Sequence, residues 1–160
     1  MNFEEANNIP GMIELVEREM LFNQAREISL IETDCVVEFG SFFGRSTNCI
    51  AQGLSVNPKY SSNCFFYTYD SFECDLDGWF APHVYAYATN ANVLHLIKVE
   101  NKKVNFEKVF KHYLNSYIRS NIVVSIKSEL HDSQAPNSTI ALMHIDSPKY
   151  YEEFKFILYR

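Results

Sequence analysis

Two hydrophobic periods alternate along this chain. Short apolar runs rich in β-branched and aromatic residues predict four buried strands, at residues 35–39, 64–69, 122–126 and 140–145. Stretches with apolar residues three or four positions apart lie between the runs and predict helices. Because strands and helices alternate, the chain is predicted to fold as an α/β protein, a mostly parallel sheet with flanking helices.

The first helix is expected to start around Asn8 to Pro10, with Asn as its cap and Pro in its first turn, and to end near Ile31. Its apolar stripe, which we expect to face the core, consists of Met12, Leu15, Val16 and Met20. A second helix is predicted at residues 46–54.

A third helix has the clearest stripe, with Asn105 placed to cap it. The stripe consists of Phe106, Val109, Phe110, Tyr113, Leu114 and Tyr117. Residues 79–104 show no clean period and are interpreted as an insertion or lid within a single domain of residues 1–160. A last helix is predicted from Tyr151, Phe154 and Leu158.

Composition limits the possible functions. A chain of 160 residues, 47% of them hydrophobic, fits one domain with one core. The formal net charge of -6, without a basic stripe, argues against nucleic acid as a partner. The apolar runs are far too short to span a membrane, and the acidic start Met-Asn-Phe-Glu-Glu is unlike a signal peptide. We therefore expect a cytoplasmic protein.

Candidate chemistry begins at the end of the first predicted strand. Glu38 leads into Gly40 and Gly44 in the run Val-Glu-Phe-Gly-Ser-Phe-Phe-Gly-Arg-Ser-Thr. Gly40 permits a tight turn and lets a ligand approach the backbone, while Gly44 lets the next helix pack closely. Ser46 and Thr47 stand in the first turn of that helix, where unpaired N–H groups face a ligand. Such a turn at the carboxyl edge of a sheet is typical of ligand sites.

The spacing of these residues narrows the choice of ligand. A P-loop needs Gly-Lys-Ser or Gly-Lys-Thr, and neither occurs. A dinucleotide site favours G-x-G-x-x-G, whereas here the spacing is G-x-x-x-G, and Glu38 would repel a pyrophosphate and attract a cationic amine. Asp70 ends the second strand, where a carboxylate can accept hydrogen bonds from both ribose hydroxyls. This combination indicates S-adenosylmethionine or a related ligand.

Each acid also has an ordinary structural interpretation. Glu38 could be a strand-end charge without a ligand, and Asp70 with Ser71 could form a simple turn. Because an acid leads into the glycine turn, ligand binding is favoured for Glu38 and Asp70. For Asp146, a helix cap and a ligand contact are equally supported.

Three landmarks in order resemble a known family. The glycine run, then Tyr-Asp-Ser-Phe-Glu, then His-Ile-Asp-Ser-Pro-Lys-Tyr-Tyr is similar to class I S-adenosylmethionine-dependent methyltransferases. Within that class the chain most resembles the macrocin-type O-methyltransferases of small molecules. The similarity covers roughly residues 10–160, with residues 79–104 poorly matched. It implies a Rossmann-like fold and methyl transfer to a small-molecule acceptor, at oxygen.

The resemblance also implies a set of cofactor-binding residues at the carboxyl ends of the strands: Glu38, Gly40, Ser41, Phe42, Gly44, Ser46, Asp70, Ser71, Phe72 and Asp146. The glycine turn would hold the methionine end of the cofactor and Asp70 its ribose. Ser128 and Glu129 would lie near the adenine, and Asp146 would face the transferring methyl group.

Metal and base chemistry are less defined. In metal-dependent relatives an acid at the position of Asp146 helps to bind magnesium. The further ligands come from segments after residue 160, so we predict no metal site in this chain. No residue is assigned as the catalytic base. Trp79, Phe80, Tyr85 and Tyr87 fit either a lid over an acceptor pocket or packing against the sheet, and packing is favoured.

The chain departs from the family in its number of strands. The family's sheet has seven strands, and four are predicted before Arg160. With the family's strand order the fourth strand would be an exposed edge, which invites pairing. We therefore expect a truncated gene product, incomplete at the C-terminal side, or a homo-oligomer contact or rearranged segment over that edge. A non-catalytic nucleoside-binding or assembly module remains the alternative function, and the glycine spacing disfavours a nicotinamide oxidoreductase.

Overall fold

The computed structural model describes residues 8–134 and 136–146, which contain seven strands and four α-helices. The strands are β1 (Asp34–Phe39), β2 (Phe65–Asp70), β3 (Glu73–Asp75), β4 (Lys98–Glu100), β5 (Lys103–Asn105), β6 (Val123–Lys127) and β7 (Thr139–Ile145). The helices are α1 (Leu15–Glu27), α2 (Arg45–Ser55), α3 (Ala81–Asn90) and α4 (Glu107–Arg119). There are also two short 3-10 helices, Leu94–Leu96 and Leu130–Asp132.

The main sheet has the strand order β6-β2-β1-β7, and every pair in it is parallel. All six residues of β1 are buried, as expected for a central strand rich in apolar residues. The four strands lie where the sequence predicts them, and the prediction of a parallel α/β sheet is confirmed. Because the strands are parallel, their carboxyl ends meet at one edge.

The larger core lies on the face of the sheet that α2 and α4 cover. It combines bulky residues from the sheet, the helices and the loops, including Phe43, Ile50, Phe66, Phe110 and Leu114. A smaller cluster of Cys35, Val37, Phe39 and Tyr69 lies on the opposite face. None of the described helices is long and apolar enough to cross a membrane.

The first helix differs from its prediction in both its start and its end. It begins at Leu15, after a capping box in which the Glu14 backbone N–H donates to the Glu17 carboxylate at 2.7 Å, and it ends at Glu27. Residues 9–13 form a non-helical segment with bends instead. The Arg45 guanidinium, on α2, binds the carbonyl oxygens of Ile9 and Gly11 at 2.5 and 2.8 Å.

The prediction for the buried face of this helix was wrong. Val16 is 76% exposed, and Met12, Leu15 and Met20 are close to half exposed. The buried face instead consists of Leu21, Phe22 and Ala25. These residues pack on α2, whose Gly53 has no room for a Cβ atom because the Phe22 carbonyl oxygen would lie 2.4 Å away.

Residues 79–104, without a clean period in the sequence, contain α3 and part of a small antiparallel sheet of order β3-β5-β4. Ala81, Val84 and Ala88 form the buried face of α3. Their i, i+3, i+7 spacing is a helical signal that aromatic neighbours obscured. In contrast, the stripe predicted for α4 is confirmed, and Asn105 Oδ1 accepts the Glu107 N–H at 3.2 Å.

The described strands leave β7 at one edge of the main sheet, paired with β1 alone. This agrees with the strand order expected from the sequence. The last predicted helix, at Tyr151, Phe154 and Leu158, lies outside the described residues, so its prediction stays untested.

Candidate functional site

The turn after β1 carries three residues with positive φ. Gly40 has φ 87°, Phe42 φ 50° and Gly44 φ 94°. The Gly40 N–H still pairs with the Tyr69 carbonyl oxygen at 2.9 Å, after which the chain leaves the sheet and enters α2. A side chain at the first or third position would be strained, so the glycines are needed for the turn.

Gly44 has a second reason to be glycine. A Cβ atom there would lie 2.2 Å from Leu114 Cδ2 and 3.1 Å from Phe110 Cδ2, both on α4. The close packing expected at Gly44 therefore involves α4 as well as the helix that Gly44 begins.

Glu38 is fully buried under the turn. Its Oε2 accepts hydrogen bonds from Thr47 Oγ1 at 2.5 Å and Thr68 Oγ1 at 2.8 Å. Thr68 Oγ1 also lies 2.6 Å from Ser41 Oγ. Thus hydroxyl groups from β2 and α2 bind one carboxylate, and Ser41 of the turn is linked to it through Thr68.

The other Glu38 oxygen, Oε1, is buried and has no hydrogen-bond partner in the described part of the chain. The same holds for Nε2 of His144, which is paired in register with Glu38 across β1 and β7. Burial raises the pKa of Glu38 above its ordinary value, while the nearby His144 and the hydroxyl donors act in the opposite direction. A buried acceptor without a donor is costly and suggests a ligand group.

Asp70 joins the ends of β1 and β2. Its Oδ2 accepts the Phe42 N–H at 2.8 Å, and its Oδ1 accepts the Phe72 N–H at 2.6 Å. Burial raises the pKa of Asp70 to about 6, despite the lowering by these amides. The ordinary interpretation, a turn held by the carboxylate, is therefore present in the structure. Each oxygen keeps a second lone pair for a ligand hydroxyl.

Two cavities lie on either side of Asp70 and Ser71. The first, of about 190 Å³, is lined by the ends of β1, β2 and β6 and contains Ser128 and Glu129. The second, of about 240 Å³, is lined by Met12, Glu73, Phe42, Trp79, Phe80, Phe106 and Asp146 in addition to the shared residues. Gly40 lines both, so they form one cleft at the carboxyl edge of the sheet.

A third, small cavity of about 20 Å³ lies between the glycine turn and residues 11–13. Ser41 and Ser46 line it, together with Gly40 and Asp146. Glu38 is linked to both serines, since its carboxylate interacts with Ser46 and, through Thr68, with Ser41.

Most of the predicted cofactor residues thus come together. Gly40, Ser41, Phe42, Ser46, Asp70, Ser71 and Asp146 line the cleft. Glu38 lies beneath it. Gly44 and Phe72 line none of these cavities: Gly44 packs on α4, and the Phe72 side chain is fully buried in the core, with only its N–H directed at Asp70.

Sequence reasoning missed Met12 and assigned Trp79 to packing. Met12 reaches the second cavity because Arg45 holds the preceding backbone, a contact 34 residues away that no local pattern reveals. Trp79 is 68% exposed, and its indole meets the Phe80 ring edge to face. The other three aromatic residues pack against the core, which is the interpretation favoured from the sequence: Phe80, Tyr85 and Tyr87.

No group of three or more His, Cys, Asp or Glu side chains that could hold a metal ion occurs among the described residues. Asp146 lies at the end of β7, with its N–H donating to the Phe39 carbonyl oxygen at 2.9 Å.

Two solved structures of CalS11 resemble this fold. One is described as the apo structure of TDP-rhamnose 3'-O-methyltransferase, an enzyme in calicheamicin biosynthesis, with a TM-score of 0.54 and 18% identity. The other, described as calicheamicin methyltransferase, has a TM-score of 0.55 and 20% identity. Each match covers 90% of this chain. The chain has a Rossmann-like fold, a mostly parallel α/β sheet with flanking helices, that resembles the fold of CalS11.

The likeness in fold extends over most of the chain, but the chain spans only 55–56% of the length of CalS11. No family model and no curated protein match the sequence.

Proposed function

We propose that this chain binds S-adenosylmethionine at the carboxyl edge of its sheet and transfers the methyl group to a hydroxyl of a small molecule. The observation that carries the proposal is the cleft of two cavities, which share Gly40 and Asp70 as lining residues, on a fold that resembles that of a methyltransferase. One part suits the cofactor and the other an acceptor. Fold likeness alone assigns no activity, so the residues must fit the ligand.

The residues present fit the cofactor. A cationic amine near Ser41 and Ser46 would be attracted by the buried Glu38, whose Oε1 lacks a donor among the described residues. Asp70, with lone pairs left after binding two amides, would accept the ribose hydroxyls. Ser128 and Glu129 would lie beside the adenine in the first cavity.

The residues of the chain would mainly orient the two reactants. When bound, the cofactor would supply an electrophilic methyl group, whose bond to sulfur would break, leaving the electron pair on sulfur, as the acceptor oxygen forms its bond to carbon. Gly40 and Asp70 would place the cofactor so that this methyl faces the second cavity, beside Asp146, giving the rate advantage of proximity. The acceptor proton would leave to a base or to water; the base is not assigned.

Calorimetric titration with S-adenosylmethionine and S-adenosylhomocysteine, with NADH as the control ligand, tests the proposal. We expect micromolar binding of the first two and none of NADH. Ser71→Phe, which fills the junction of the cavities, should weaken binding at least about tenfold. Ser120→Phe, an equally large change at the exposed end of α4, should not.

An assay of methyl transfer, run beside the calorimetric titration, distinguishes an enzyme from the non-catalytic module. Binding followed by methyl transfer to an acceptor supports the enzyme. Binding without transfer to any acceptor tested would favour a nucleoside-binding module, and absence of binding by a cooperatively folded chain would contradict the cofactor assignment.

A further inference from the structure

We infer that the acceptor is an aromatic hydroxyl compound without negative charge, held against Trp79 in the second cavity and bound more tightly when it carries an amine cation. This inference rests on the proposed function and names the substrate class of the same site. It depends on the walls, the charges and the position of the cavity.

The walls of the second cavity are aromatic. The rings of Phe42 and Phe80 meet edge to face at 5.3 Å, and Phe42 and Phe106 meet in the same way at 5.4 Å. Trp79 extends this wall, with its indole 5.3 Å from the Phe80 ring. An indole that is 68% exposed at the mouth of a cavity of about 240 Å³ offers a face on which an aromatic ligand can stack.

The charged residues of the cavity are all acidic. Asp70, Glu73 and Asp146 line it, and no Lys, Arg or His is among its described lining residues. Two cations belong to neighbouring groups: Lys127 is ion-paired with Glu73, and Arg45, which lines the adjoining small cavity, donates its hydrogen bonds to the backbone carbonyl oxygens of residues 9–13. Hydrogen bonds from Lys127 and Asn105 lower the pKa of Glu73, which therefore stays ionised.

A negative cavity with an aromatic wall selects ligands by charge. Clustered carboxylates repel a phosphate or a carboxylate and attract an ammonium group, and an ammonium group is also attracted to the face of an indole. A phosphorylated or nucleotide-linked acceptor is therefore disfavoured.

The position of the cavity agrees with an acceptor site. Gly40, Asp70 and Ser71 line it together with the first cavity. A phenol stacked on Trp79 could thus direct its hydroxyl towards the shared wall and Asp146, where the methyl group is proposed to lie.

Trp79 is the one tryptophan of the chain, so its fluorescence reports directly on this cavity. We would titrate the full chain with tyramine, p-cresol and 4-hydroxyphenylacetate, which share a phenol and differ in charge, with excitation at the red edge of the indole band. Each titration is run with and without S-adenosylhomocysteine. Tyramine should bind at least about tenfold more tightly than 4-hydroxyphenylacetate, with p-cresol between them.

Matched variants localise the effect. Calorimetry measures the ratio of the affinity for tyramine to the affinity for 4-hydroxyphenylacetate. Asp146→Asn should bring this ratio closer to one, whereas Glu100→Gln, at an exposed acid on β4, should leave the ratio unchanged. Trp79→Leu should weaken all three probes, and Phe65→Leu, a partly exposed aromatic at the other end of β2, should not.

The outcomes distinguish the two proposals. If S-adenosylmethionine binds but 4-hydroxyphenylacetate binds as tightly as tyramine, or Trp79 does not respond to any probe, the acceptor class is wrong and the proposed function stands. If S-adenosylmethionine does not bind while the order of the probes holds, the proposed function fails and the cavity is a binding site of another kind.

Discussion

At the scale of single residues, Asp70 determines the shape of the site. Its two oxygens accept the N–H groups of Phe42 and Phe72, which have φ of 50° and 53°. Left-handed conformations are uncommon for bulky residues, and each needs support from its surroundings. One carboxylate supports both, so the residue expected to bind ribose also builds the turns around it.

The shifted pKa of Asp70 gives the first prediction. Because its folded-state pKa of about 6 lies above the ordinary 3.8, its contribution to the free energy of unfolding is largest below pH 3.8 and is lost as the pH rises through about 6. Relative to Asp70→Asn, the wild type should lose up to roughly 3 kcal/mol between pH 4 and 7. Urea unfolding of both proteins across this range measures the difference, and parallel pH profiles would contradict it.

Gly44 gives the second prediction. Gly44→Ala should reduce the free energy of unfolding by about 2–4 kcal/mol, from a positive φ and a Cβ atom 2.2 Å from Leu114 Cδ2. Combining it with Leu114→Ala should give a smaller loss than the sum of the single variants, because the truncated side chain no longer clashes. If urea unfolding shows that the effects of the two substitutions on the free energy of unfolding are strictly additive, the contact between residue 44 and Leu114 does not contribute to the loss.

At the scale of elements, one arginine attaches the N-terminal segment to the sheet edge. Arg45 lies in the first turn of α2 and binds the carbonyl oxygens of Ile9, Gly11 and Ile13. Gly11 fits against its aliphatic part, since a Cβ atom there would lie 2.9 Å from Arg45 Cβ. The segment thereby places Met12 in the cleft and fixes where α1 can start.

The third prediction follows from this attachment. Arg45→Met should release residues 9–13 and lower the free energy of unfolding by about 1–3 kcal/mol, because charged hydrogen bonds to the carbonyls are lost. Hydrogen exchange should become faster in that segment. Arg119→Met, on an exposed arginine at the end of α4, is the control, and equal exchange in both variants would refute the attachment.

The fourth prediction concerns the orientation of α1. Val16→Ser should change the free energy of unfolding by less than about 0.5 kcal/mol because Val16 is 76% exposed. Leu21→Ala, at a position 2% exposed, should reduce it by about 2–4 kcal/mol. Urea unfolding compares the two variants. A large decrease in the free energy of unfolding for Val16→Ser would support the buried face expected from the sequence.

At the scale of the whole molecule, the described sheet ends at β7. This strand is seven residues long and contains no Pro, Asp, Glu, Lys or Arg, the residues that usually protect an edge. On its other side it pairs with the fully buried β1. We propose that a second copy of the chain covers this edge.

The fifth prediction tests that contact. The chain should associate with itself as its concentration rises, and Thr139→Lys, a charge at an exposed position of β7, should favour the monomer. Ser120→Lys, on the exposed end of α4, should have no effect. Sedimentation velocity measures both, and a wild type that stays monomeric at every concentration would contradict the proposal.

The amino-acid sequence determined the elements whose signals are local. The strand β1 is a run of apolar and β-branched residues, and α4 shows an unbroken stripe, so both were predicted within a few residues. The turn at Gly40 and the acids Glu38 and Asp70 could also be identified from the sequence, because strand ends and glycines mark the carboxyl edge of an α/β sheet.

Only the tertiary structure decided what depends on contacts between distant residues. The buried face of α1 is set by its packing on α2. The start of α1 is set by Arg45, which holds Ile9 and Gly11 from more than 30 residues away. The partners of Asp70 and the exposure of Trp79 follow in the same way from packing between elements. A period in the sequence shows that a helix has an apolar face, but the surface available for that face exists only once the other elements have assembled.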